Sequence, residues 1–221
     1  MNPNTPVSSE EIETFLKAFG LSGSESSYYL NTMQNRKGYH NMEHVKLMLS
    51  MLRELPSTLP KNLGALVLAI LFHDYNYQLS ATDNEEISAK SLLAHTNVSY
   101  QPKIVQDTVA IAQVLITRSV NPGKCPEDGL AKDNWDDILL MHDLDYAILG
   151  VGKTYYVEYA LKVAHEYMAE YSAENYRKGR LKFLDKMIYE VENIFYLDYF
   201  KHLEERAVEN MIDERSFLSG V

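Results

Sequence analysis

Leu63-Gly64-Ala65-Leu66-Val67-Leu68-Ala69-Ile70-Leu71-Phe72, followed directly by His73-Asp74, is the stretch on which the fold turns. It runs without a charge or a polar side chain into an imidazole and a carboxylate. A half-wet strand would alternate, and a surface helix would show a polar stripe; this segment does neither. A helix apolar on every side belongs in the middle of a helical core. At about half a membrane span it is too short to cross a bilayer. The central helix therefore delivers His73 and Asp74 at its C-terminal end.

The segments around it also read as helices. Upstream, His44, Leu47, Met48, Met51, Leu52 and Leu55 form one stripe at helical spacing, in a helix beginning near Asn41 and stopped by Pro56. Ser8 and Glu11 make a capping box for a first helix that ends at Gly20, and a second helix spans Glu25 to Asn35 before Gly38. Downstream, Asp83-Asn84-Glu85-Glu86 predicts another capping box, for a helix to about His95. Pro102 is expected as the first residue of a helix to about Arg118. Asn121 to Gly129 reads as a loop, and Asp133 as the cap of a helix through Leu140 to Asp143. After the break at Gly150-Val151-Gly152, two long helices are expected, Lys153 to Tyr176 and Leu181 to Ile212, the second kinked near Asn193. No strand-like alternation, internal repeat or linker interrupts the pattern. The expectation is an all-α, single-domain bundle of eight to ten helices over residues 1–221, with the core motifs in 39–150 and the C-terminal helices in 153–215.

Composition bounds the partners. The chain has 221 residues, 46% hydrophobic and 24% charged, enough for a sizeable core. A formal net charge of −10 argues against nonspecific nucleic-acid binding and against an anionic membrane surface, but not against a phosphate substrate if a divalent cation reverses the local sign. The single Cys125 allows no internal disulfide and no cysteine-based zinc site. MNPNTPVSSEE lacks the basic-then-apolar profile of a signal peptide, so a cytoplasmic location is expected. Homo-oligomerisation is left open.

Tyr39-His40-Asn41-Met42-Glu43-His44, His73-Asp74, and the later pair Asp143 and Asp145 carry the chemistry. A lone His44 on an apolar helix face is ordinarily a core histidine. An aspartate beside an imidazole at the end of a buried helix is costly unless a cation compensates. Imidazole plus carboxylate is a ligand set for borderline divalent metals, so the joint pattern predicts a metal site. His40 lies four residues before His44, but a zincin pair would need Glu where Asn41 stands. His40 is therefore expected to be a substrate-facing acid. Glu85 and Glu86 weigh evenly between catalysis and helix capping, with Glu85 the one assigned to catalysis. Lys37, Arg118, Lys153 and Arg180 are candidate phosphate binders, Arg180 alternatively an ion-pair partner for Glu166. The tyrosines at Tyr155, Tyr156, Tyr159, Tyr167 and Tyr171 are expected to line core and pocket.

His44, His73-Asp74 and a later aspartate resemble the signature of the HD superfamily of metal-dependent phosphohydrolases. The Tyr39-His40-Asn41-x-x-His44 segment is also similar to the opening motif of class I cyclic-nucleotide phosphodiesterases. A bacterial family of predicted HD-type hydrolases of about 200 residues resembles the chain over about residues 10 to 215. That likeness rests on Tyr39-His40-Asn41, Phe72-His73-Asp74, Asp83-Asn84-Glu85 with Ser88-Ala89, Asp143-x-Asp145 with Ile148-Leu149-Gly150, and Arg206-Ala207-x-x-Asn210, among other matches.

The resemblance implies an HD-type bundle and a phosphohydrolase that acts on a nucleotide or other small phosphoester through metal-activated water. It implies one divalent ion (Mn, Mg, Co, Ni, Fe or Zn) held by His44, His73, Asp74 and Asp145. Family spacing favours Asp145, directly before Tyr146, as fourth ligand, with Asp143 supporting; both remain open. His40 would protonate the leaving oxygen, with Asp74 and Glu85 as catalytic carboxylates and Lys37, Tyr39, Arg118 and Lys153 contacting substrate. Close relatives tend to have histidine soon after the threonine near Thr117, where this chain reads Arg118-Ser119-Val120, and they often have aspartate where Gln78 stands. Both departures weaken a second metal site. They motivate an alternative, a catalytically weak or inactive nucleotide-binding protein. A di-iron oxygenase would need more histidine ligands than the chain supplies.

Overall fold

The computed structural model describes residues 7–220. Among these the chain is all-α, with eleven α-helices, three short 3-10 turns and no strand. It divides into two compact units, one ending at His142 and the other beginning at Asp143. The division falls inside helix α8, so no change in composition marks it.

The first unit contains α1 (Ser9–Ala18), α2 (Gly23–Asn35), α3 (Met42–Glu54), α4 (Leu63–Phe72), α5 (Asn84–Thr96), α6 (Lys103–Ser119) and α7 (Gly129–Asp133), and enters α8 (Trp135–Tyr146). Helix α4 is its axis: every residue from Ala65 to Phe72 is buried. It packs against α3, α5 and α6. Its first turn is anchored by the buried Asp137 carboxylate, which accepts from the backbone N–H groups of Lys61 and Asn62 at 2.8 Å each. These are orphan donors at a helix start, where a negative charge is favoured. The expected capping box at Ser8 and Glu11 forms, and so does one at Ser22 and Glu25 that the expected start at Glu25 overlooked.

Three expectations in this unit need correction. Asp83 makes no cap bond. Its neighbour Asn84 turns back on the preceding loop, accepting from Gln78 N–H at 2.9 Å and donating to Gln78 O at 3.0 Å. Pro102 stands as the cap residue before α6 and not inside it, and Asp133 closes α7, with α8 starting at Trp135.

The second unit contains the end of α8, then α9 (Lys153–Met168), α10 (Ala173–Tyr189) and α11 (Glu204–Ser219). Two long helices were expected here and three are present. Ser172 caps α10 through Asn175 N–H. Residues 191–197, between α10 and α11, are not helical because tertiary acceptors take amides there: Glu204 accepts from Ile194 and Phe195, and Asp143 from Tyr196 and Leu197. The turn after α8, Ala147–Gly150, runs so close to Leu203 that a Cβ on Gly150 would lie 2.8 Å from the Leu203 carbonyl oxygen. Asn210 holds this turn by donating to Leu149 O and Val151 O at 2.9 Å each.

Candidate metal centre

The loop between α2 and α3 presents two of the histidines. Gly38 supplies a positive φ of 96°, a conformation that favours glycine. Asn41 then does two things: its Oδ1 caps α3 by accepting from Glu43 N–H, and its Nδ2 donates to Gly38 O, both at 2.8 Å. The turn fixes His40 just before the helix and puts His44 in its first turn, on the buried face.

His73 is the C-cap of α4. Its Nδ1 donates to Ile70 O at 2.9 Å, which leaves Nε2 as the ligating nitrogen. His44 Nε2 lies 3.1 Å from His73 Nε2. Asp74 Oδ2 lies 3.0 Å from His73 Nε2 and 3.8 Å from His44 Nε2. All three side chains are largely withdrawn from solvent.

Donors at about 2.1 Å from a common cation stand roughly 3.0 Å apart at right angles and roughly 3.4 Å apart in a tetrahedron. The three separations bracket these values, so the residues fit a divalent ion. Their chemistry points the same way. With the Nδ1 proton of neutral His73 on Ile70 O, its Nε2 lone pair faces the Asp74 oxygen. Such an approach needs a positive charge, either a proton or a metal. Burial works to raise the Asp74 carboxyl, but the His73, His40 and His44 imidazoles overcome it and hold the group well below the usual carboxylate range.

The other expected residues are placed as follows. Tyr39 is buried, with its ring 4.5 Å from that of His44 and 5.1 Å from that of His40. His40 is half-buried and stacks on Tyr77, centroids 3.7 Å apart and planes at 20°. Glu85, half-buried in the first turn of α5, has its carboxyl raised by burial, opposed by its own backbone N–H and reinforced by the Asp74 charge. Lys37 and Arg118 are exposed. His142 is a buried histidine donating from Nδ1 to Ser119 O at 2.7 Å.

Asp145 and Lys153 belong to the second unit. Asp145 is half-buried in the last turn of α8, and Lys153 pairs with Asp213 at 2.5 Å. Asp143 is fully buried, and its carboxylate is engaged by Tyr196 and Leu197 N–H at 2.8–3.2 Å, a structural task. Burial nevertheless raises it to about 6, the two backbone donors pulling the other way. Arg180 is no surface cation: it makes a bidentate pair with Glu214 at 2.8 and 2.9 Å and donates to the Tyr159 hydroxyl. Tyr156 and Tyr159 are core as expected, while Tyr155 is exposed.

Two residues the sequence reading passed over meet this centre. Arg36 donates to His40 O at 3.1 Å, to Asp74 O, and to Tyr75 O at 2.6 Å. Tyr77 is the partner of His40. Their partners are backbone atoms or a ring distant in the chain, a signal no local pattern carries. Ser88, noted only as part of a motif, ties the loop after Asp74 to α5 by accepting from Asn76 N–H at 3.0 Å.

The chain matches no protein-family model and no curated protein.

Proposed function

We infer that the protein is a metal-dependent phosphohydrolase of the HD type, acting on a nucleotide or another small phosphoester. The observation that carries this reading is the convergence of His44 Nε2, His73 Nε2 and Asp74 Oδ2 at 3.0–3.8 Å, with His40 close enough for its charge to act on Asp74. These side chains, with Asp145 as the fourth ligand expected from the sequence, would hold a divalent ion, which would supply water activation and charge neutralisation at phosphorus. The chain's own groups do the rest. Asp74, kept ionised, is a hydrogen-bond acceptor that orients the attacking water. Glu85, with its raised carboxyl, takes a proton from that water. His40 gives a proton to the departing oxygen, a role worth roughly 10²–10⁴-fold. Lys37 and Arg118, both exposed, are the cations assigned to substrate phosphate, and Tyr39 lies beside both histidines.

The test is elemental analysis followed by a phosphomonoester, phosphodiester and nucleotide panel with Mn, Mg, Co, Ni and Zn. The wild type should bind about one equivalent of metal and turn over a phosphoester. His73→Ala and Asp74→Ala should lose metal and turnover together. His40→Ala should keep metal and lose turnover by roughly 10²–10⁴-fold. Asp145→Asn should weaken metal binding far more than Asp143→Asn does. Nucleotide retention without turnover across all five metals would instead favour a binding protein. Failure to bind any of them would end the hydrolase reading.

A further inference from the structure

The Arg36 guanidinium is committed to main chain. Its three acceptors come from two segments: His40 O on the loop before α3, and Asp74 O and Tyr75 O just past the end of α4. Carbonyls beyond a helix C-terminus lack helical partners and favour a cation. A planar fork can hold acceptors on both segments at once, whereas an ammonium is a point donor. Arg36 thus fixes the His40 backbone relative to the turn that carries the proposed ligands. The His40 side chain is fixed separately, by the Tyr77 ring against its face at 3.7 Å. Tyr77 sits three residues past Asp74, on a loop whose Asn76 is bonded to Ser88 and, at 2.6 Å, to Ser91 on α5. Backbone and ring of one histidine are therefore held by two different residues, Arg36 and Tyr77.

We propose that Arg36 and Tyr77 are positioning residues that hold His40 for proton delivery to the leaving group. This rests on the phosphohydrolase reading. An acid is needed when the leaving group is a poor one, such as an alkoxide, and is nearly superfluous when it is p-nitrophenolate. Misplacing His40 should therefore change turnover selectively with the leaving group, while a general loss of structure would lower both rates alike.

The experiment compares wild type, Arg36→Lys, Tyr77→Leu and Tyr77→Phe on an alkyl and a p-nitrophenyl ester of the same phosphoryl group. Metal content and the His40 imidazole proton shifts (assigned with His40→Gln) are read on the same samples. Arg36→Lys and Tyr77→Leu should lower kcat on the alkyl ester about 10- to 100-fold, part of the effect of a general acid. The p-nitrophenyl rate should stay within about threefold, and metal content should stay unchanged. Tyr77→Leu should remove the Tyr77 contribution to the His40 ring-current shift, leaving that of Tyr39, and Tyr77→Phe should restore both shift and rate. Equal loss on the two esters, or an unchanged alkyl rate in Tyr77→Leu with the Tyr77 contribution to the shift gone, would overturn the proposal. A wild type inert on both esters but with the His40 shift present would overturn the hydrolase reading itself, a result distinct from either.

Discussion

At the residue scale, the centre shows how one side chain settles the state of another. Donation from His73 Nδ1 to Ile70 O selects the tautomer, and that selection turns Nε2 towards His44 and Asp74. His95 gives a cleaner test of titration because it lies outside this group. It packs on Tyr28, Phe72 and Tyr75, and burial pushes its imidazole below the ordinary 6.5, with Glu25 opposing. A lowered histidine pKa means that the unfolded chain binds more protons in the window between the two values. Stability is thus full above about pH 6.5 and falls as pH drops through the folded value. In chelator-treated protein, His95→Gln should flatten the acid side of a plot of denaturation midpoint against pH; an unaltered slope would refute the assignment. That His44 and His73-Asp74 belong to one cluster was legible from residue type and from their places at helix ends. Arg36 was not, since a guanidinium serving backbone carbonyls looks in sequence like any surface arginine.

At the element scale, helix starts and stops were readable wherever a local cap forms, as at Ser8 and Asn41. They were misread where a distant group decides. Nothing between Val191 and Phe200 announces a break as strongly as proline would; the carboxylates of Glu204 and Asp143 impose it. The interior of the second unit shows the same dependence. Arg180 and Glu214 are both under a tenth exposed, and Glu214 also accepts from the Tyr156 hydroxyl at 2.6 Å. Arg180 packs over the rings of Tyr159 and Phe183 as well. Removing one partner strands a buried charge. Glu214→Ala should cost about 3–5 kcal/mol in chemical denaturation. Arg180→Met combined with Glu214→Leu should recover part of that loss, though not all, because Tyr156 still lacks its acceptor. A Glu214→Ala variant as stable as wild type would show that the pair is solvated in solution.

At the scale of the whole molecule, the all-α class followed from periodicity alone, whereas the division at His142 and Asp143 could not, being placed within a continuous helix. No helix among the described residues is long and apolar enough to cross a membrane. A chain of net charge −10 that gathers two imidazoles and a carboxylate should be stabilised by a divalent cation added to it, if the proposed site binds one. Manganese at 100 times its dissociation constant should raise the free energy of unfolding by about 2.7 kcal/mol. Both imidazoles must be neutral to bind, so this gain should be complete above about pH 7 and vanish as pH falls through the imidazole range. Asp74 does not limit the window, because its carboxyl is already held low and loses its proton well below that range. Equal midpoints with and without metal at pH 8 would contradict the site.

Helix α4 has no wet side from Ala65 to Phe72, and both of its ends are tied, at Asn62 by Asp137 and at Asp74 by Arg36. Inserting one residue between those ties would swing everything beyond it through about 100° and slide it about 1.5 Å. A surface helix can absorb such a slip by rolling a polar face; this one has none to offer. The count of residues from Asn62 to His73 is therefore a fixed dimension of the protein, whereas the exposed stretch around Gly123 to Cys125 can grow or shrink without disturbing it.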